Sequence, residues 1–339
     1  MLARSRWAAG PMPITVRARR LGSNPIITRS MLPRNDGENI NGPSLIRVPS
    51  WIKGRLGKYY LYFAHHKGSY IRLAYADDLN GPWNIYEPGT LKVEETHCAE
   101  IRNPARTSDR HIASPDVHVD HAMQDIRMYF HGPVDLSGDP ARKDSYAQRS
   151  FVAKSKDGVN FRAQAQSLGN PYFRVFQWEG AYYSIAMPGV IYRSTDGIRD
   201  FVEGPTLFMT DMRHSGVTVH GDRLLVFYSI VGERPERIVL STVDLSRPWT
   251  KWQATAPTSV LEPETDWEGG TLELKRSVRG LARGPVRELR DPAIFADGGK
   301  HYLLYSVAGE SGIGIAELLI SCPNRMAGTD LIGREESVE

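Results

Sequence analysis

Imidazole and carboxylate side chains recur beside short apolar segments along the chain. Asp116, His214 and Asp291 each lie at or near the start of such a segment, and Asp291 directly follows an arginine. His131 and Glu310 come after the ends of aromatic segments. Histidine exchanges protons near neutral pH, and an arginine beside an aspartate keeps the carboxylate ionised. These residues predict a site for proton transfer or for holding an ion, provided that the fold brings them together.

Five copies of one template position these residues. Each copy begins with a polar residue near a proline or glycine, continues as an alternating apolar strand, turns, and returns as a strand rich in tyrosine and leucine. The five first strands lie at 41–48, 114–119, 170–175, 214–219 and 291–295. Third strands follow, and two of them end in an Asp-Gly turn, which is a strong hairpin signal. A short β unit that recurs in this way is typical of a propeller.

The repeats predict an all-β fold, a five-bladed β-propeller with four-stranded antiparallel blades around a central funnel. We expect an N-terminal lead at residues 1–30, the propeller at 31–320 and a C-terminal tail at 321–339. Residues 14–18 of the lead have the pattern of a strand and would close the ring as the outer strand of the last blade. A β-sandwich is the alternative architecture.

Composition and charge exclude several classes of protein. The 339 residues include 42 basic and 39 acidic side chains, a balance that argues against a nucleic-acid partner. Cys98 and Cys322 match no metal-binding spacing, and two free thiols in a reducing compartment are a simpler interpretation than a disulfide. No segment approaches the ~18 apolar residues of a membrane span, and no signal-peptide core is evident. We therefore expect a cytoplasmic protein with no membrane partner, whose oligomeric state stays open.

Several motifs resemble those of the five-bladed glycoside hydrolases, the group that contains families 43, 32 and 117. The segment SPDVH at 114–118 is similar to the Ala-Pro-Asp-Val-His strand of family 43. The segment LRDP at 289–292 looks like the Arg-Asp-Pro motif of family 32, and the segments at 71–74 and 81–83 add to the likeness. The resemblance covers roughly residues 36–318. It implies a propeller that takes a carbohydrate as its substrate.

The acidic residues that such enzymes carry are only partly present. Asn41 stands where the first blade of family 43 starts with aspartate, and Asn170 stands where the third blade offers one. His214 stands where the fourth blade offers the glutamate that acts as the acid. Family 117 is a precedent for such a change, because a histidine is thought to act as the acid there. The resemblance therefore implies a non-standard catalytic set.

Hydrolysis of a glycosidic bond needs a base or nucleophile and a protonated acid opposite it. The candidate base is Asp291 or Asp116, and the candidate acid is His214 or Glu310. The leading interpretation is a glycoside hydrolase-like enzyme that acts on a sugar or oligosaccharide. The alternatives are a carbohydrate-binding propeller without hydrolysis and a metal-assisted lyase or isomerase that uses the histidines.

Further polar residues near the predicted funnel are candidate substrate contacts. They are Asn41, His66, His111, His131, Asn170 and Arg290. The histidines leave three interpretations open: contacts to sugar hydroxyls with proton exchange, ligands of a divalent metal ion, and purely structural side chains. The sequence requires no cofactor. If the histidines do bind a metal, we expect a divalent ion in the central funnel.

Overall fold

The computed structural model describes residues 14–100, 110–135 and 146–321, and in them it confirms the five-bladed β-propeller. Residues 1–13 of the lead and 322–339 of the tail, with Cys322, lie outside the described residues. Cys98 is a buried free thiol, and burial raises its pKa to about 11. None of the helices in the described residues is long and apolar enough to cross a membrane.

The described part of the chain contains twenty-one strands. The first two described strands are β1 (Thr15–Arg20) and β2 (Ile27–Thr28). Blade one holds β3 (Asn41–Arg47), β4 (Tyr59–Ala64), β5 (Arg72–Ala76) and β6 (Asn84–Tyr86). Blade two holds β7 (Ala113–Asp120), β8 (Asp125–Asp135), β9 (Tyr146–Ser155) and β10 (Arg162–Ala163). Blade three holds β11 (Arg174–Trp178), β12 (Ala181–Ala186), β13 (Val190–Ser194) and β14 (Val202–Thr206).

The last two blades complete the ring. Blade four holds β15 (Met212–His220), β16 (Arg223–Ile230), β17 (Ile238–Asp244) and β18 (Thr258–Leu261). Blade five holds β19 (Arg290–Asp297), β20 (Lys300–Val307) and β21 (Gly312–Ser321). Short 3₁₀ helices lie at Arg29–Met31, Arg34–Glu38, Val93–Glu95, His97–Glu100, Trp249–Lys251 and Asp266–Glu268.

The start of the chain supplies the outer strand of the last blade. β1 pairs antiparallel with β21, from Thr15 opposite Ser321 to Arg20 opposite Ala316. The guanidinium of Arg20 then donates to both carboxylate oxygens of Glu268, whose side chain is fully buried, at 2.8 and 2.9 Å. The two ends of the described chain are thereby held together in one sheet, with β1 as its outer strand.

The hydrophobic core lies between blades. Five clusters of buried side chains form, and each combines residues from two neighbouring blades. Tyr62 of blade one packs with Phe130 of blade two, for example, and Phe227 of blade four with Tyr305 of blade five. Period-2 alternation produces this arrangement, because the two faces of each blade meet two different neighbours.

A β-bulge opens the innermost strand of four blades. The register shifts between Asn41 and Ser44, Ala113 and Asp116, Met212 and Ser215, and Arg290 and Ala293. Within three of these bulges one residue has positive φ, namely Gly42, Ser114 and Asp291, and Tyr172 just before β11 has φ +68°. Bulges redirect side chains at strand ends. They therefore set which residue of each blade faces the mouth of the funnel.

Candidate functional site

The centre of the site is a contact between blades four and five. The Nδ1 atom of His214 lies against Oδ1 of Asp291, and Ser306 Oγ donates to Oδ2 of the same carboxylate at 3.1 Å. Asp291 is 2% exposed. Burial opposes its ionisation, but the charge and contact of His214, with Arg290 and Arg213, outweigh burial and hold the pKa of Asp291 well below its usual range. An ionised carboxylate therefore orients the imidazole.

A row of three tilted rings extends from this pair across the mouth. The ring of Tyr172 lies 3.8 Å from that of His214 and 4.1 Å from that of His131, measured between centroids. Tyr172 holds the left-handed backbone conformation that side chains rarely adopt, at a cost of about 1 kcal/mol. The contacts of Tyr172 thus fix the planes of two imidazoles, His131 of blade two and His214 of blade four.

His131 is a neutral imidazole buried in the site. It is 2% exposed, and its Nδ1 has no hydrogen-bond partner among the described residues. Burial, followed by the charges of His111, His214 and His66, holds the pKa of His131 well below its usual range. The His111 ring lies 5.9 Å from that of His131. Three further imidazoles are therefore close enough to His131 to influence it. They are His66 of blade one, His214 of blade four and His111 just before blade two.

Glu310, after the second strand of blade five, is the other carboxylate of the site, and it is 4% exposed. Its Oε1 accepts from Arg290 Nη1 at 3.1 Å and lies 3.5 Å from His66 Nδ1. Its Oε2 accepts from Asn39 Nδ2, and from Asn41 Nδ2 at 3.5 Å. Burial opposes ionisation, but His66 and Arg290 together lower the pKa of Glu310 against the repulsion of Asp291. Glu310 is thus a second ionised carboxylate that orients an imidazole.

A buried network holds the two arginines beside the site. Arg290 Nε donates to Glu288 at 2.8 Å, and Arg213 Nε donates to Glu236 at 2.7 Å. Glu236 Oε2 lies 3.8 Å from Arg290, which joins the two pairs. Since these side chains are at most 8% exposed, the arginines next to His214 and Asp291 are held in place. Glu236 and Glu288 were missed by the sequence analysis, because neither begins or ends an inner strand.

Asp116, the other candidate base, has different neighbours. Its Oδ2 lies 2.8 Å from His118 Nε2 and accepts from the Val175 backbone at 2.8 Å. The buried Arg174 lies 3.9 Å away and donates to the carbonyls of Pro115 and Ser215. Burial opposes ionisation, but His118 and Arg174 lower the pKa of Asp116. Asp116 lines a separate cavity of about 270 Å³ along the central channel, and the charge of Arg174 interacts with both Asp116 and Asp291.

Asn170, a predicted substrate contact, is bonded to blade two. Its Oδ1 accepts from Arg149 at 3.2 Å, and its carbonyl accepts from Ser150 Oγ at 2.7 Å. Tyr172, two residues later, is the residue of blade three that contacts the imidazoles. A proline follows Asn170 as it follows Asp291 in blade five, so the sequence pattern pointed to Asn170 instead of Tyr172.

The arrangement can therefore perform general acid–base chemistry through imidazoles. Each of two carboxylates positions one histidine, in the pairs His214–Asp291 and His66–Glu310. All four carboxylate oxygens already have protein partners, so the histidines are the groups free to exchange a proton with a bound molecule. Within the described ranges, no group of three or more histidine, cysteine or carboxylate side chains has the arrangement of a metal site.

Comparison with known proteins finds one curated relative and many similar folds. The chain is 37% identical over 325 residues to the uncharacterized protein R118 of Acanthamoeba polyphaga mimivirus, a match that covers 88% of this chain and 89% of the relative. No family model matches.

Three solved structures illustrate the likeness in fold. A glycosyl hydrolase from Bacteroides ovatus superposes with a TM-score of 0.57 at 11% identity, covering 91% of this chain and 94% of its own. A putative glycosidase from Bacteroides thetaiotaomicron gives 0.56 at 16%, covering 90% and 97%. The GH43_1 enzyme from Xanthomonas citri, complexed with xylose, gives 0.53 at 14%, covering 83% and 88%. At these identities the likeness establishes the fold.

Proposed function

We propose that this protein hydrolyses a glycosidic bond, because it has the five-bladed fold of the glycoside hydrolases. The chain belongs to the same family as the mimivirus protein R118. The observation that carries the proposal is the contact between His214 and the buried, ionised Asp291, where blades four and five meet at the mouth. An imidazole held by a carboxylate can act as a general acid, which the departure of a sugar oxygen requires.

In the proposed reaction His214 is the general acid. Asp291 holds Nδ1 and stabilises the imidazolium, which leaves Nε2 to protonate the oxygen of the leaving group as its bond to the anomeric carbon breaks. Tyr172 keeps the ring in its plane. Glu310 is unsuited to this role, because its pKa is lowered and it stays ionised.

The proposed general base is His66. Glu310 orients its Nδ1, and the side chain is 26% exposed, so the other ring nitrogen can accept a proton from a water molecule that attacks the anomeric carbon. The negative charges of Asp291 and Glu310 also favour the positive charge that develops on the sugar ring. The two carboxylates therefore support the reaction through the histidines and through their charge.

The test is the release of sugar from a broad panel of aryl glycosides and neutral oligosaccharides. We expect His214→Ala to lower kcat/KM by about 10²–10⁴ on any substrate that the wild type cleaves. Added imidazole should restore part of the loss in this variant. The matched control is His118→Asn, which alters an imidazole of the separate channel cavity and should keep wild-type activity. Full activity in His214→Ala would refute the assignment of the acid.

One observation favours a second function, carbohydrate binding without hydrolysis. The oxygens of Asp291 and Glu310 are all engaged by the protein, so neither carboxylate is placed to attack a sugar directly. A folded wild type that retains oligosaccharides but releases no sugar from any substrate would support this function and contradict hydrolysis.

A further inference from the structure

A depression of about 200 Å³ lies beside the imidazole cluster. The loop before β3 and the loop between β4 and β5 form it, and Asp36, His65, Tyr70 and Arg72 are among its lining residues. It lies next to the site described above, because its lining residues His65 and Lys67 flank the proposed base in the chain.

Asn39 links the depression to the site. Its carbonyl accepts from Arg72 Nη1 at 2.8 Å, its Oδ1 accepts from the backbone N–H of His66 at 2.7 Å, and its Nδ2 donates to Glu310. A single buried asparagine thus contacts a wall of the depression, the proposed base and the carboxylate that orients this base. A molecule bound in the depression is therefore adjacent to the proposed point of cleavage.

Arg72 leaves one hydrogen-bond donor unused in this wall. Its side chain is 3% exposed, and Nη2 lies 3.5 Å from Asp36 Oδ1. Its Nε is buried and has no partner among the described residues. A buried donor without a partner costs about 1–3 kcal/mol. Since Nε itself is buried, Arg72 contributes positive charge to this wall, and a bound molecule meets the more exposed residues of the depression.

Asp36 and His65 supply complementary groups. Asp36 is 37% exposed, and its Oδ2 accepts from Tyr70 at 2.7 Å, which leaves acceptor capacity for further donors. His65 Nδ1 accepts from the backbone N–H of Lys67 at 3.0 Å, so its proton resides on Nε2 as a donor. Burial and the nearby Arg72 lower the pKa of His65, and the ring stays neutral near pH 7.

We propose that this depression is a subsite for a second, uncharged glycosyl unit of the substrate. Two acidic and two basic residues line it, Asp36, Glu38, Lys67 and Arg72, so it carries no net charge. A neutral sugar ring offers hydroxyl donors to Asp36 and an oxygen acceptor to Nε2 of His65. The carboxylate of a uronate would instead meet Asp36. The inference rests on the proposed function in that the ligand is a carbohydrate.

The test is binding to an array of immobilised oligosaccharides, some neutral and some containing uronates. We expect the wild type to bind neutral oligosaccharides, and Asp36→Asn and His65→Leu each to bind them about tenfold more weakly. Asp200→Asn, on the outer part of blade three where its side chain is 78% exposed, is the matched control and should bind as the wild type does.

Each alternative result contradicts the subsite. A preference for uronates, unchanged binding in both variants, or no binding by folded wild type would overturn it. Hydrolysis is scored separately with the His214→Ala variant. If binding depends on Asp36 but no hydrolysis is detected, the proposed reaction is refuted and the subsite is supported. If hydrolysis is detected but binding does not depend on Asp36 or His65, the subsite is refuted and the reaction is supported.

Discussion

Residue burial explains how two carboxylates and several imidazoles share the mouth of the funnel. A carboxylate at 2–4% exposure needs partners for its charge, and Asp291 and Glu310 take theirs from histidine and arginine. A neutral imidazole can be buried without a counter-charge, as His131 is. Two ionised carboxylates and several imidazoles can therefore share a small volume that more carboxylates would destabilise by mutual repulsion.

His131 predicts a pH dependence of stability. Its pKa is lowered in the fold but is near 6.5 in the unfolded chain, so only the unfolded chain takes up this proton as the pH falls below 6.5. Stability is then fully present above that pH. When the pH is lowered from 7.5 to 5.5, the unfolding free energy of the wild type should fall by about 1.4 kcal/mol more than that of His131→Phe. Urea unfolding at the two pH values measures both changes.

The control for His131→Phe is His121→Gln, because His121 is an exposed imidazole. This variant should retain the pH slope of the wild type. A slope in His131→Phe equal to that of the wild type would show that the buried imidazole is protonated in the fold.

At the scale of the elements, β1 depends on one buried ion pair. Arg20 contacts Glu268, which is fully buried and also accepts from Tyr305 at 2.9 Å, and it contacts Glu264, which is 69% exposed. We expect Glu268→Gln to lower the unfolding free energy by about 3 kcal/mol, since it leaves buried partners uncompensated. Glu264→Gln, the matched control, should cost less than about 1 kcal/mol. Equal losses in urea unfolding would contradict a closure that depends on the buried pair.

The strands could be predicted from the sequence, whereas their exact starts could not. Alternation, tyrosine-rich return strands and Asp-Gly turns are local signals, and they located all five blades. In blade three the sequence predicts a first strand that begins at Asn170, whereas β11 begins at Arg174, and Tyr172 just before it is the residue that meets the imidazoles. Asn39 and Glu236, which hold the charged side chains of the site, lie in loops. The alternation of apolar and polar residues does not extend into loops, so it could not locate them.

For the whole molecule, the placement of the core predicts one cooperative unfolding transition. Every apolar cluster joins two blades, and β1 joins the first part of the chain to the last blade, so a blade that unfolds alone exposes the cores on both its sides. Trp83 lies in the cluster between blades five and one, and Trp252 lies in the cluster between blades three and four. Fluorine resonances of 5-fluorotryptophan at these two positions, assigned with Trp→Phe variants, should lose intensity at the same urea concentration. Earlier loss at Trp252 would mean that blades three and four unfold as a separate unit, and the ring would then be two cooperative units instead of one.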